Sequence, residues 1–152
     1  MNEYEHTLTI KSRPQQVFDF VSEISNLPRY LPTVRNAMPQ GSARVRVQGE
    51  AAGHQYDSDG YYHVDKTRQR MEWGSDGENQ YRGWLEVTGD DADTTATVTV
   101  HLSFEPRPDI AERYDQQSGN RHRTILEGLE SALQSIKNLC EGKGGKIEPH
   151  AA

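Results

Sequence analysis

The stretch EYEHTLTIKSRPQQVFDFVSEISNLPRYLPTV, residues 3–34, constrains the fold more than any other part of this chain. Tyr4, His6, Leu8 and Ile10 recur with a strand's period of two. Ser12 then stands where a helix N-cap is expected, and Gln15, three residues on, completes a capping-box pattern. Pro14 falls in the first turn, where a missing N–H is harmless. Val17, Phe18, Val21 and Ile24 follow at helical spacing and form one apolar stripe. Ser25 or Asn26 is placed to cap a second, shorter helix, which Pro32 ends.

The middle of the chain reads as strands joined by tight turns. In Arg44 to Ala51, Val45, Val47, Gly49 and Ala51 take one face and Arg44, Arg46, Gln48 and Glu50 the other. Gly53 and His54 turn the chain into a strand from Tyr56 to Val64. Asp65, Lys66 and Thr67 turn it again into Arg68 to Trp73. Gly74, Ser75, Asp76 and Gly77 form a strong turn signal. Tyr81 to Thr88 follows, and after residues 89–93 comes the cleanest strand, Thr95 to Phe104. There Ala96, Val98, Val100, Leu102 and Phe104 oppose Thr95, Thr97, Thr99, His101 and Ser103. Pro106, Pro108 and the polar run to Asn120 form a connection, with room for a helical turn at Ile110–Tyr114.

The last element is a long helix, about Arg121 to Glu141, whose apolar stripe is Ile125, Leu129, Ala132, Leu133, Ile136 and Cys140. Gly142 is placed as its C-cap, and Lys137 and Lys143 suit the negative end of its dipole. Residues 1–143 are read as a single domain and 144–152 as a disordered tail. With 152 residues a single core is feasible. A mean hydropathy of −0.91 requires half-polar strands, so the sheet must alternate rather than run solidly apolar. Short turns favour antiparallel neighbours. A sheet with one apolar face needs a cover, and the final helix is large enough to supply it. The expected class is therefore α+β: a curved antiparallel sheet of about seven strands, its first strand pairing with its last, wrapped around the long C-terminal helix, with two short helices after strand 1.

A net charge of −6 disfavours nucleic acid or an anionic membrane as main partner, since both need clustered Lys and Arg. The single cysteine, Cys140, excludes an internal disulfide. No secretory signal pattern and no membrane-length apolar run stand out, and the expected compartment is the cytoplasm.

The segments RPQQVFDFVSEISNLPRYLP, RMEWGSDGENQYRGWLEVT, TATVTVHLSFEP and LESALQSIKNLCE, taken in this order, carry a resemblance. The chain resembles the helix-grip fold of the START/Bet v 1-like (SRPBCC) superfamily and, within it, the single-domain polyketide cyclase/dehydrase and lipid-transport group. The likeness covers roughly residues 3 to 141. It implies a deep cavity between curved sheet and long helix, holding a hydrophobic or amphipathic small molecule. Members range from carriers to ring-closing enzymes, so the resemblance implies a pocket rather than a reaction.

In such a fold the inward strand faces line the cavity: Val45, Val47 and Gly49, Tyr62 and Val64, Met71 and Trp73, Tyr81, Gly83 and Leu85, then Val98, Val100 and Leu102. Phe18, Val21, Tyr30, Leu129 and Leu133 join them from the helices. The ligand-binding set expected is Tyr30, Val47, Tyr62, Met71, Trp73, Tyr81, Leu85, Val100, Leu129 and Leu133, an apolar lining with a few polar handles. The opposing reading is that these side chains pack together with little empty volume. Gly128, mid-helix, either leaves room for a ligand or a close strand, or is an exposed, tolerated glycine. Tyr30, Tyr62 and Tyr81 can orient a polar group or act as acids, yet no His or carboxylate sits in phase beside them, and backbone groups are their expected partners. His63 and His101 face outward and His54 and His122 lie beside loops, so no metal site is expected. Asp57, Asp59, Glu72 and Glu86 face solvent, with Arg68, Arg70 and Arg82 as cross-strand partners. Cys140 packs in the helix stripe rather than serving as a nucleophile. GKGGK in the tail lacks the spacing and hydroxyl of a phosphate loop. Residues Asp109–Gln117 are placed to act as a lid or are a plain surface loop.

The leading expectation is a non-enzymatic carrier for a lipid, quinone or aromatic polyketide, with no cofactor and no catalytic residues, as monomer or homodimer, with no nucleic-acid partner and no integral membrane segment. The alternatives are a polyketide aromatase/cyclase that templates aldol closure and an accessory module that binds a macromolecule.

Overall fold

The computed structural model describes residues 2–31, 34–41, 43–51, 54–75, 80–89, 94–105 and 121–142. Seven strands, β1 (Asn2–Ile10), β2 (Val34–Pro39), β3 (Arg44–Ala51), β4 (His54–Asp65), β5 (Arg70–Ser75), β6 (Gln80–Thr88) and β7 (Ala96–Glu105), accompany α1 (Pro14–Val21), α2 (Leu27–Tyr30) and α3 (Arg121–Cys140). The strands form one curled antiparallel sheet in the order β1-β7-β6-β5-β4-β3-β2. The first strand thus pairs with the last, Leu8 facing Val98 and Tyr4 facing Leu102.

The alternation read from the sequence sets the buried face. Val98 and Val100 are buried on β7, Leu85 and Val87 on β6, and Met71 on β5. Thr97, Thr99 and His101 fall on the opposite phase, where Thr7 Oγ1 meets Thr99 Oγ1 at 3.1 Å across the outer face. α3 buries the expected stripe, Ile125, Leu129, Ala132, Leu133 and Ile136, with Cys140 half-buried against the same core. It packs on β1 and β7 and against α1 and α2. Gly142 closes it with φ +71°, its N–H 3.4 Å from the Leu139 carbonyl.

Three local expectations are corrected. The Ser12 capping box does not form: α1 starts with Pro14 at its first turn and Arg13 at the N-cap, without a side-chain cap. Proline's fixed φ starts the helix one residue later than the pattern suggests. Ser12 Oγ instead donates to Gln16 Oε1 (3.3 Å) and Gln15 Nε2 to Asp19 Oδ1 (2.7 Å). Asn26, one of the two expected residues, stands at the N-cap of α2 but makes no side-chain cap bond; a 3-10 turn at Ile24–Asn26 leads into the helix, and Asn26 uses its amide elsewhere. Third, Val34–Pro39 is a strand that the sequence did not announce. Pro32, the stretch Asp109–Gln117 and the segment 144–152 lie outside the described residues, as do any lid and the GKGGK run.

Candidate functional site

Strand register arranges the concave face in rows. One row runs His6, Val100, Leu85, Met71, Val64 across β1, β7, β6, β5 and β4. Its centre is closed, with Val100, Leu85 and Met71 at 2–3% exposure, and α1 packs against β6 and β7. The neighbouring row runs Tyr4, Leu102, Gly83, Trp73, Tyr62. Here the wall opens on the β4–β5 side: Tyr62 and Trp73 are only half-buried, as are Val64 on β4 and Val47 on β3. The sheet face thus divides into a packed floor and a half-exposed apolar wall.

Gly83 shapes that wall. A Cβ there would stand 2.7 Å from the Trp73 ring and 2.8 Å from the His101 carbonyl, so the indole comes this close to the β6 backbone only because the residue is glycine. In α3, by contrast, a Cβ on Gly128 would meet nothing within 4 Å, so this glycine serves no close strand contact.

The phenols are committed. Three consecutive carbonyls at the C-terminal end of α1, which no helical N–H can reach, each accept a side-chain donor. Asn26 Nδ2 donates to Phe20 O (2.9 Å), Tyr30 Oη to Val21 O (2.7 Å) and Tyr62 Oη to Ser22 O. The first two donors come from the same helical hairpin; the third reaches across from the sheet. Burial pushes the Tyr30 hydroxyl well above its ordinary pKa, with Tyr62 adding to it, and burial followed by the Glu23 charge raises that of Tyr62. Both stay neutral donors at ordinary pH.

Of the expected set, Met71, Leu85, Val100, Leu133 and Tyr30 lie in the closed core, Leu129 borders it at 8% exposure, and Val47, Tyr62 and Trp73 line the half-exposed wall. Tyr81 pairs with Phe104 through its backbone, while its side chain lies outside the described residues. Sequence reasoning missed one pair. Tyr4 on β1 has its hydroxyl 2.7 Å from His122 Nδ1 in the first turn of α3, with ring centroids 5.7 Å apart. His122 is exposed, as expected, but it stands beside an inward-facing phenol. These residues are 118 positions apart, and only β1 pairing with β7 under α3 brings them together.

The outer face behaves as solvated surface. Arg46 and Asp57 form a bidentate pair (2.8 and 2.5 Å), which with Gln48 holds the Asp57 carboxyl down to about 2. Arg70 bridges Glu72 and Glu86 at 3.1 Å each and lies 4.4 Å over the Trp84 ring, while Trp84 stacks on His101 at 5.3 Å. Open grooves on this face are bordered by Gln48 and Asp57 and by Trp84, His101 and Ser103. Among the described residues no three His, Cys, Asp or Glu side chains converge as a metal site, and no helix is long and apolar enough to cross a membrane.

Comparison with known families identifies one match: the model described as polyketide cyclase/dehydrase and lipid transport covers residues 1–141. The chain belongs to this family. Solved structures agree on the helix-grip, START/Bet v 1-like fold. A protein from Thermus thermophilus superposes with a TM-score of 0.75 at 18% identity, over 93% of this chain and 98% of its own. The Zhui aromatase/cyclase from a Streptomyces species gives 0.69 at 16% identity, over 95% and 98%. The di-domain ARO/CYC BexL gives 0.62 at 20% identity over 91% of this chain, which spans about half (48%) of that protein's length. These identities carry the fold alone. No curated protein matches the sequence.

Proposed function

We propose that the chain binds or carries a hydrophobic small molecule on the concave face, between the sheet and α3. The observation that carries this reading is the half-buried apolar wall of Val47, Tyr62, Val64 and Trp73 beside a closed core. Apolar side chains left half in water on an inward face gain about 25 cal/mol per Å² when a ligand covers them. A lipid, a quinone or an aromatic polyketide offers such a surface. Family membership supports the same reading.

A second reading is a cyclase that templates ring closure of a polyketide. It draws on the solved aromatase/cyclases of the same fold and on the Tyr4–His122 pair. Against it, Tyr30 and Tyr62 spend their protons on backbone carbonyls. Native mass spectrometry of freshly purified protein separates these readings from an empty one. A carrier shows a discrete mass excess of small-molecule size that denaturation removes, with no turnover. Clean apo protein that takes up no apolar probe overturns the binding reading, and a changed product from a reactive poly-β-ketone replaces carrier with cyclase.

A further inference from the structure

The connection between α1 and α2 is held by polar bonds rather than by burial. Val21 and Leu27 at its two ends are buried. Between them Glu23 and Ser25 are exposed, Ser22, Ile24 and Asn26 are half-buried, and the 3-10 turn buries no residue. Its amides close short rings: Ser22 N–H donates to Phe18 O (3.0 Å), Asn26 N–H to Glu23 O (2.9 Å) and Leu27 N–H to Ile24 O. Of the side chains that reach its carbonyls, Tyr62 comes from β4, donating through Oη to Ser22 O. Segments with few buried apolar contacts open first, so a tether from the sheet bears on how often this one opens.

Tyr62 stands in two places at once. Its hydroxyl ends on the helix terminus, while its ring belongs to the half-exposed wall, opposite Trp73 and two residues from Val64. Tyr30 differs. It makes the neighbouring bond to Val21 O from inside the core, at 1% exposure, so that bond is already dry. The Tyr62 bond instead joins two half-buried residues. A hydrogen bond of this kind gains strength as water leaves, because the local dielectric falls and the competing solvent partner is lost. A molecule lying on the wall therefore acts on a bond that it need not touch.

We propose that Tyr62 is a ligand-linked latch: covering the apolar wall tightens its bond to Ser22 O and closes the turn between α1 and α2. This rests on the concave face being the binding surface. It asks only for apolar cover and so does not depend on the ligand's functional groups. Because Glu23 and Ser25 of that turn are exposed, a loaded chain and an empty one differ at a surface that another molecule can reach.

The test follows amide hydrogen exchange with and without N-phenyl-1-naphthylamine, a neutral apolar dye whose emission rises on leaving water. Val47→Asp puts a charge on the wall and is expected to abolish that rise. The latch predicts that saturating dye slows exchange of the Ser22, Asn26 and Leu27 amides about 3- to 10-fold, the reach of one hydrogen bond. In Tyr62→Phe, which keeps the ring and removes the donor, the dye still binds and that slowing is lost. Turn exchange that the dye leaves unchanged or quickens in the parent overturns the latch and leaves the binding reading standing. So does slowing that persists in Tyr62→Phe at the same occupancy. No rise in emission, or a rise that survives Val47→Asp, overturns the binding reading and the latch with it.

Discussion

The Trp73 indole rests on the backbone of Gly83, on the neighbouring strand, so closely that a Cβ would fall 2.7 Å from the ring. The same Cβ would lie 2.8 Å from the backbone carbonyl of His101, which cannot swing aside. Gly83→Ala is therefore expected to cost about 1–3 kcal/mol as overpacking and to shift Trp73 emission. Gly128→Ala is its converse. Nothing stands within 4 Å of the new methyl, and helix propensity makes the change stabilising by up to about 1 kcal/mol. Urea unfolding of both variants checks the pair, and the same sign for both would refute the account.

The division of the concave face into floor and wall also has a stability signature. Leu133 is fully buried, whereas Val47 is half-buried on the open wall. Leu133→Ala is expected to cost about 2–5 kcal/mol and to leave a cavity. Val47→Ala is expected to cost about 1 kcal/mol, since the removed methyls are already partly in water. Equal costs would mean that the wall is as closed as the floor.

Tyr62→Phe removes the donor that reaches the end of α1 from the sheet. The Ser22 carbonyl then loses this bond, at about 1–2 kcal/mol. Hydrogen exchange is expected to quicken around residues 18–26 and to stay unchanged in β6 and β7. Uniform acceleration across the chain would contradict a local tether.

Alkaline pH provides another check. Burial, with a lesser contribution from Glu141, pushes the Cys140 thiol up to about 11. The unfolded thiol ionises near its ordinary value, so the unfolded state releases its proton first as pH rises. The stability that the neutral thiol contributes is whole below about 9 and is lost between there and about 11. The fall in Tm over this window should be shallower in Cys140→Ala than in the parent. Parallel slopes would show that Cys140 plays no part.

The faces of β3 to β7 and the buried stripe of α3 were legible because periodicity is a local property. Val98, Val100 and Leu102 could only point together. β2 was hidden by its own composition: Val34, Arg35, Asn36, Ala37, Met38 and Pro39 show no alternation, and a register shift between Val34 and Asn36 breaks the ladder. The Ser12 pattern misled because Pro14 set the helix start. The expected ligand set contained floor and wall together, since both share the inward phase and only the placement of α1 and α3 separates them. Tyr4 and His122 carried no mutual signal, being joined by a tertiary crossing rather than by spacing.

Thr7 and Thr99 meet side by side although 92 residues separate them. During synthesis β1 leaves the ribosome early, together with the hairpin whose Asn26 and Tyr30 bonds are local, and has no neighbour until β7 follows. At roughly 5–20 residues per second that is a wait of several seconds. At the end of that interval β6 also presents an unpaired edge for a short time, a template for the wrong chain. The arrival of β7 satisfies both edges at once and creates the surface on which α3 docks, so the sheet and its covering helix mature in one late step.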